Sequence, residues 1–192
     1  MEASKRLMGT QVPTQGTEPT SPFGLLGRTL GHSWSPRIHA TFGSAPYALF
    51  EREPADVADF ITEGAWQGIN VTIPYKRVAA ELADEVSERV ERLGVANTLV
   101  RRDGRIYADN TDVLGFAWML RRFLREKVGT TAEALSGSKA LVLGSGGACQ
   151  AVCAALEDLG CRPVIISRTG DETYATLADR HADVFLEFCK NF

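Results

Sequence analysis

The fold is decided by residues 139–167, KALVLGSGGACQAVCAALEDLGCRPVIIS. A short apolar run leads into a glycine-rich turn, a segment with helical spacing follows, and a second apolar run ends the stretch. This order predicts two parallel strands joined by a helix. Short strands and helices also alternate through the preceding residues, so the whole chain is predicted to belong to the α/β class.

The glycine turn of this unit consists of Gly144, Ser145, Gly146, Gly147 and Ala148. Glycines between a strand and a helix permit a tight turn and let backbone N–H groups approach a pyrophosphate, while the helix N-terminus favours negative charge. No Lys-Ser or Lys-Thr pair follows, which argues against a nucleoside-triphosphate loop. The turn therefore predicts a dinucleotide site of a Gly-x-Gly-Gly type.

The residues at the end of the second strand help to determine which dinucleotide the site would bind. Units that bind NAD usually carry an acid there for the ribose hydroxyls, whereas this chain has Ser167, Arg168 and Thr169. An arginine suits the 2′-phosphate of NADP through charge-assisted hydrogen bonds. We expect NADP as the cofactor, with NAD as the alternative. The other interpretation of Arg168 is a solvated surface residue.

Upstream of this unit, the pattern of secondary structure begins at Phe23. Strands are predicted in FGLLGR (23–28), YALFERE (47–53), GINVTI (68–73), ANTLVRR (96–102) and RIYAD (105–109). Helices are predicted in SPRIHATFGS (35–44), PADVADFITEGAW (54–66), SERVERLG (87–94) and VLGFAWMLRRFLREKV (113–128). Ser35 is expected to cap the first helix with Pro36 at its first position, and Asp103-Gly104 predicts a hairpin turn.

The composition indicates a soluble globular protein. The chain has 192 residues, a formal net charge of −3, 44% hydrophobic residues and 23% charged residues. A slightly acidic chain has no basic face for phosphates, so nucleic acid is not an expected partner. No apolar run approaches the roughly 18–20 residues that span a bilayer, and no signal peptide is recognised. We therefore expect a cytoplasmic protein without membrane contact.

Three segments are predicted along the chain. Residues 1–21 are polar and aperiodic and are expected to be a disordered tail, residues 22–128 form a first domain, and residues 129–192 form part of a dinucleotide-binding domain. The cysteines contain no Cys-x-x-Cys pair, so neither a metal site nor a disulfide is expected. Cys149 and Cys153, one helical turn apart, are predicted to be small apolar filler. The oligomeric state stays open.

Three polar strings stand at strand ends, where α/β proteins place their ligands. They are HSWSP (32–36), NVTIPYK (70–76) and DNTD (109–112), and an Asn-Thr pair at 97–98 adds an amide and a hydroxyl. Alternation along the third strand places Asn70 and Thr72 on one face, opposite Val71 and Ile73.

Helix caps account for one serine of the first string and one member of the third, and a surface lysine is the plain interpretation of Lys76. If the strings converge on one cleft, they supply serines, asparagines, a threonine, a lysine and an aspartate. That set suits a polyhydroxylated carboxylic acid, with Lys76 and Asp112 as an acid/base pair.

The strings HSWSP, NVTIPYK, ANT, DNTD and GSGGA, in this order, resemble the shikimate dehydrogenase family over roughly residues 22–169. The resemblance implies an α/β shikimate-binding domain followed by an incomplete Rossmann-like domain for NADP. It also implies the NADP-dependent reversible reduction of 3-dehydroshikimate to shikimate, a step of chorismate and aromatic amino-acid biosynthesis.

The same resemblance implies a role for each matching residue. The substrate carboxylate would be held by Ser33 and Ser35, and ring hydroxyls by Asn70, Thr72 and Asn97. The catalytic pair would be Lys76 and Asp112, both also in contact with substrate. The cofactor contacts would be residues 144–148, residues 167–169 and Glu88.

The chain departs from the family pattern in two places. Gly170, Asp171 and Glu172 stand where a second basic residue often follows Arg168, which keeps an NAD-using quinate/shikimate dehydrogenase as an alternative. Only 55 residues run from Ser138 to Phe192, too few for both halves of a dinucleotide domain. We therefore expect activity to be impaired by truncation, and the alternative from another class is a non-catalytic remnant that still binds shikimate.

Overall fold

A computed structural model describes residues 21–43 and 46–182 of the chain. The predicted tail, except Ser21, and Cys189 lie outside the described residues. Strands and helices alternate as expected, and the α/β class is confirmed. No helix within the described ranges is long and apolar enough to cross a membrane.

Six strands form the first sheet, in the order β2-β1-β3-β5-β6-β4. Their bounds are β1 (Phe23–Gly27), β2 (Tyr47–Glu51), β3 (Gly68–Val71), β4 (Glu85–Val86), β5 (Thr98–Arg102) and β6 (Arg105–Asp109). Strand β1 is parallel to both β2 and β3, while β5 is antiparallel to β3 and β6. The β5–β6 hairpin turns at Asp103 and Gly104, both with positive φ (50° and 76°), as a two-residue hairpin loop requires.

Five helices accompany the first sheet. They are α1 (Ser35–Thr41), α2 (Val57–Glu63), α3 (Lys76–Glu81), α4 (Glu88–Leu93) and α5 (Asp112–Phe123). The N-terminus of α4 is capped by Ser87, whose hydroxyl accepts from the N–H of Val90, and Gly94 ends the helix in the left-handed conformation. The helical path of α5 continues through a π-turn, Leu124–Val128, to Gly129, where the sequence predicted its end.

The two faces of the first sheet differ in chemistry, because alternate residues of each strand point to opposite sides. One face carries the main apolar core, in which Leu26, Ile61 and Leu99 are fully buried. The other face carries a row of polar side chains from neighbouring strands: Tyr47 of β2, Asn70 of β3, Thr98 of β5 and Asp109 of β6. The candidate site lies at this second face.

The predicted strand–helix–strand unit forms β7 (Lys139–Leu143), α6 (Cys149–Asp158) and β8 (Arg162–Ile166), with the two strands parallel. A short helix, α7 (Leu177–Arg180), follows. Small side chains (Ala117 of α5 against Ala151, Ala154 and Ala155 of α6) bring these two helices together in a buried contact. This contact holds the glycine turn beside the first sheet.

The cysteines of α6 pack in a small apolar cluster, as expected. The sulfur atoms of Cys149 and Cys153 are 4.0 Å apart. Burial, with a further contribution from the neighbouring Cys149, raises the pKa of Cys153 to about 11. Its thiol therefore stays protonated at neutral pH.

Two local predictions are wrong. Trp34 already has helical dihedral angles (φ −88°, ψ −5°), so α1 begins at Ser35 itself and Ser35 is not the N-cap. Strand β3 ends at Val71, and the chain then turns through a cis Ile73–Pro74 bond. Ile73 is 63% exposed and does not share the buried face of Val71.

Candidate active site

Lys76 and Asp112 form an ion pair at the centre of the site. Each is the first residue of a helix, α3 or α5, and the two helices begin at the same edge of the sheet. Lys76 Nζ lies 2.6 Å from Asp112 Oδ2, with 15% and 34% of the two side chains exposed. A mostly buried lysine with one carboxylate partner has further N–H donors for a ligand.

The second oxygen of Asp112 is held by Asn97, which is 8% exposed. Asn97 Nδ2 donates to Asp112 Oδ1 at 2.8 Å. The orientation of the Asn97 carboxamide is fixed because its Oδ1 accepts from the backbone N–H of Thr111 at 2.9 Å. The fully buried Asn110 adds support, since its Oδ1 accepts from the backbone N–H of Asp112. Both carboxylate oxygens of Asp112 are therefore held by donors of this chain.

Asn70 has partners of its own within the protein. Its Oδ1 accepts from the Tyr47 hydroxyl at 2.7 Å, and its Nδ2 donates to Thr98 Oγ1 at 3.3 Å. The role of Asn70 in contacting ring hydroxyls stays a prediction, because these bonds leave its amide little free capacity.

Ser33 and Thr72 line a cavity that shares Ile73 and Pro74 with the cleft lined by Lys76. A cavity of about 490 Å³ is lined by Ser33 and Thr72, together with Arg28, His32 and Pro74. The Ser33 hydroxyl oxygen accepts from the Ser35 N–H at 3.3 Å. Within the described part of the chain, the hydroxyls of Ser35 and Thr72 have no hydrogen-bond partner, so both are available to a ligand.

A second cleft of about 610 Å³ lies between the start of α3 and the glycine turn. Lys76, Ile73 and Pro74 line one side, and residues 145–147 of the turn line the other. Gly144 has a φ of +106°, and a side chain at Gly146 would meet only open space. The backbone N–H groups of residues 145–148 donate to no other described residue, so free donors precede α6 beside the cleft.

The end of β8 carries the other residues that the sequence predicts to bind the cofactor. Ser167 is buried, and its hydroxyl donates to the carbonyl of Thr169. Arg168 is exposed and forms no ion pair with any described residue. The nearby Glu172 is already paired with Arg180 at 3.2 Å. The structure thus leaves Arg168 free for an anion.

Glu88 stands apart from this group. It is the first residue of α4 and is exposed, and it does not line the cleft that contains the glycine turn. Its assignment to the cofactor stays a prediction.

Sequence reasoning missed the partners of Asp109. Arg89 Nη2 donates to Asp109 Oδ2 at 2.7 Å, and Ser87 Oγ donates to Oδ1 at 2.6 Å. Burial by itself would raise the pKa of Asp109, but the hydrogen bonds from Arg89, Ser87 and the Asn110 N–H together hold the pKa below its ordinary value of 3.8. Asp109, the first residue of the DNTD string, therefore anchors α4 to β6.

Known proteins resemble the chain in sequence. Residues 25–99 match the family described as the shikimate dehydrogenase substrate binding domain. A shikimate dehydrogenase (NADP(+)) of Xylella fastidiosa strain M12 is 38% identical over 84% of this chain and 57% of its own length. One from Roseobacter denitrificans is 39% identical over 75% of this chain and 53% of its own length. The chain thus spans little more than half the length of these relatives.

Several solved structures resemble this chain in fold. Shikimate 5-dehydrogenase of Thermus thermophilus, in complex with NADP(H) and shikimate, superposes with a TM-score of 0.66 at 31% identity, covering 82% of this chain and 59% of that one. A chorismate mutase/shikimate 5-dehydrogenase fusion protein from Clostridium acetobutylicum gives the same TM-score and identity, covering 86% of this chain and 60% of that one.

Proposed function

Because the chain belongs to the shikimate dehydrogenase family, we propose that it binds shikimate and 3-dehydroshikimate and takes part in their NADP-dependent interconversion. One observation carries the proposal. Lys76 Nζ is held 2.6 Å from Asp112 Oδ2, and Asn97 holds the other carboxylate oxygen. A proton donor of fixed position therefore lines the cleft that also contains the glycine turn, and this cleft shares Ile73 and Pro74 with the cavity of Ser33 and Thr72.

The substrate is proposed to lie across the polar end of the first sheet. Its carboxylate accepts hydrogen bonds from the hydroxyls of Ser33 and Ser35, and Thr72 donates to a ring oxygen. The free hydroxyls of Ser35 and Thr72 support this placement, since a polyol acid needs several donors at fixed spacing. The neighbouring Arg28 adds positive charge to the cavity wall, although it is shared with Glu53 at 3.0 Å.

The chemistry of this chain's own residues is proton transfer. NADP, when bound, supplies or accepts the hydride. As the ketone oxygen of 3-dehydroshikimate gains negative charge, the Lys76 ammonium stabilises it and gives it a proton. Asp112 holds the ammonium in position, and Asn97 keeps Asp112 from rotating. In the reverse direction, neutral Lys76 accepts the hydroxyl proton of shikimate.

The glycine turn and the tip of β8 fit the cofactor. Free backbone donors at residues 145–148 stand at the N-terminus of α6, a helix of ten residues, which suits a pyrophosphate. Arg168, without an ion-pair partner in the described part of the chain, suits a 2′-phosphate. These observations favour NADP over NAD.

The test is to measure binding and turnover separately on the purified chain. Shikimate binding is measured by calorimetry, and turnover by shikimate-dependent reduction of NADP and, separately, of NAD. Lys76→Ala should lower turnover by about 10²- to 10⁴-fold while changing shikimate affinity much less. Lys127→Ala, at an exposed lysine beyond α5, is the matched control and should change neither.

The outcomes separate the alternatives. Turnover with NADP supports the proposal, and faster turnover with NAD would assign the chain to the quinate/shikimate alternative. Shikimate binding without turnover in the wild-type chain would leave a binding protein rather than an enzyme. If shikimate does not bind, the proposed function is wrong.

A further inference from the structure

A run of hydrogen bonds crosses the polar face of the first sheet and ends at the ion pair. It starts at Tyr47 on β2, reaches over β1 to Asn70 on β3 and continues to Thr98 on β5. The Thr98 hydroxyl is 2.9 Å from Asn97 Oδ1, and Asn97 donates to Asp112. We call the four residues before Asp112 (Tyr47, Asn70, Thr98 and Asn97) the polar relay.

The hydrogen bonds of the polar relay all point the same way. The backbone N–H of Thr111 needs an acceptor, so Asn97 presents Oδ1 to it and to Thr98, and turns Nδ2 toward Asp112. Thr98 therefore donates its proton to Asn97 and accepts from Asn70 Nδ2 at 3.3 Å. Hydrogen bonds aligned head to tail polarise and strengthen one another.

Tyr47 is the first donor of the relay and is itself held in place. Its ring stacks on His39 of α1, with centroids 3.9 Å apart and 13° between planes. Its hydroxyl donates to Asn70 Oδ1 at 2.7 Å, which forces Asn70 to present Nδ2, rather than Oδ1, to Thr98. Burial raises the pKa of Tyr47, so the hydroxyl keeps its proton at neutral pH.

We propose that Tyr47 is a positioning residue, which acts through Asn70 and Thr98 to fix the Asn97 carboxamide that holds Asp112 beside Lys76. The Tyr47 hydroxyl lies three hydrogen bonds from Asn97 and touches neither member of the ion pair. The expected effect of Tyr47 on ligand binding rests on the proposed function, whereas its effect on Asn97 does not.

The first test observes Asn97 directly without any ligand. The side-chain NH₂ resonances of Asn97 are assigned in ¹⁵N-labelled protein by their disappearance in Asn97→Asp. Tyr47→Phe removes only the hydroxyl and leaves the ring for His39, and it should shift these resonances. Tyr107→Phe is the matched control: Tyr107 lies on the same sheet face, opposite Val100, and its hydroxyl has no described hydrogen-bond partner. It should leave Asn97 unchanged.

The second test measures coupling through the relay. Tyr47→Phe should weaken shikimate binding by roughly three- to tenfold, and Thr98→Val, which breaks the relay at its midpoint, by a similar factor. In a double-mutant cycle, Tyr47→Phe should then add little in the Thr98→Val background. Independent, multiplicative losses would mean that Tyr47 does not act through Thr98.

Each result decides something. Unshifted Asn97 resonances in Tyr47→Phe, with a well-dispersed spectrum, would overturn the proposal. If Tyr47→Phe fails to fold, His39→Ala, which removes the ring that stacks on Tyr47, carries the test: it should shift the same resonances, and no shift would overturn the proposal. Shifted resonances in a wild-type chain that binds no shikimate would uphold the relay and refute the proposed function instead.

Discussion

The two sheets in the described part of the chain differ in how they use their polar groups. On the six-stranded sheet, polar side chains at the strand ends bond to one another, and Asp112 has donors on both oxygens. At the two-stranded sheet, the polar groups are backbone N–H groups of the turn at 145–148, which have no described partner. The first arrangement suits a ligand of fixed shape and the second suits an anion, since a backbone cradle recognises charge.

The two sheets also differ in how completely their apolar residues are buried. The apolar face of the six-stranded sheet is covered, and residues such as Ile61 are fully buried. In the two-stranded sheet, Leu143 is 62% exposed and Ile165 is 43% exposed. We call the part of the chain built on β1–β6 the first region and the part built on β7, α6 and β8 the second region. Burial of apolar surface is the main stabilising contribution to folding, so the first region should carry most of the chain's stability.

The largest expected effect is the loss of a core side chain from the first region. Ile61→Ala should lower the free energy of unfolding by about 2–5 kcal/mol, because it removes a fully buried side chain and leaves a cavity. Ile165→Ala, the counterpart on β8, should cost under about 1 kcal/mol. Urea denaturation followed by fluorescence, with Trp66 buried in the first core, compares the two. Equal losses would refute the division.

The next effect concerns the buried amide that supports Asp112. Asn110 is 1% exposed, donates to the Val95 carbonyl at 3.0 Å and accepts from Asp112 N–H. Asn110→Ala should cost about 1–3 kcal/mol, because the Val95 carbonyl and the Asp112 N–H lose their partner. Ser145→Ala in the glycine turn should stay within about 0.5 kcal/mol, since its side chain is exposed. Similar midpoints of urea unfolding for the two variants would contradict the contrast.

Local chemistry explains what the sequence could predict. Apolar periodicity located nearly all the long elements, and Asp103-Gly104 and Gly129 marked turns where the chain takes positive φ. The ion pair of Lys76 and Asp112 was expected, and the structure brings the two together at 2.6 Å. The elements and turns rest on signals that lie within a few neighbouring residues. The pairing of Lys76 with Asp112, 36 residues apart, rested instead on the expected convergence of the polar strings and on the family resemblance.

Long-range partners could not be predicted in the same way. Nothing near Asn70 in the sequence points to Tyr47, which is 23 residues away, because their meeting depends on the order of strands. The same holds for Asp109 and Arg89, which lie 20 residues apart and form an ion pair that the sequence did not indicate. The start of α1 also differs from the prediction. Trp34 adopts helical dihedral angles, and no local signal in the sequence indicates this.

Acid should weaken the first region through Asp109. Its folded-state pKa lies below the ordinary 3.8, so the unfolded chain binds a proton more readily, and stability falls as pH drops below about 4. The contribution of Asp109 to stability should be fully present above that pH, and Asp109→Asn should reduce the loss of stability in acid. In the second region, Glu172→Gln should reduce this loss less, because Glu172 pairs with Arg180, whose side chain is 55% exposed. Urea denaturation midpoints, measured at a series of pH values from 5 down to the lowest pH at which the chain stays folded, give the pH dependence of stability for each variant.

The smallest effect is expected where the two regions meet. Arg92 of α4 lies 2.7 Å from Glu157 and 2.6 Å from Asp158, at the end of α6. Two acids at a helix C-terminus oppose the helix dipole, so Arg92 offsets a local repulsion as well as joining the regions. Each exposed pair contributes only about 0.2–1 kcal/mol, and salt should remove most of it.

Arg92→Gln should therefore speed amide hydrogen exchange in α6 at low salt, leave β3 unchanged, and match the wild type at high salt. Arg122→Gln is the control, because Arg122 pairs with Glu126 one turn along its own helical path and crosses no boundary. If Arg92→Gln accelerates exchange equally in β3 and α6, the pair stabilises the chain as one unit. The two regions would then unfold together, and the buried alanine contact between α5 and α6 would be the element that couples them.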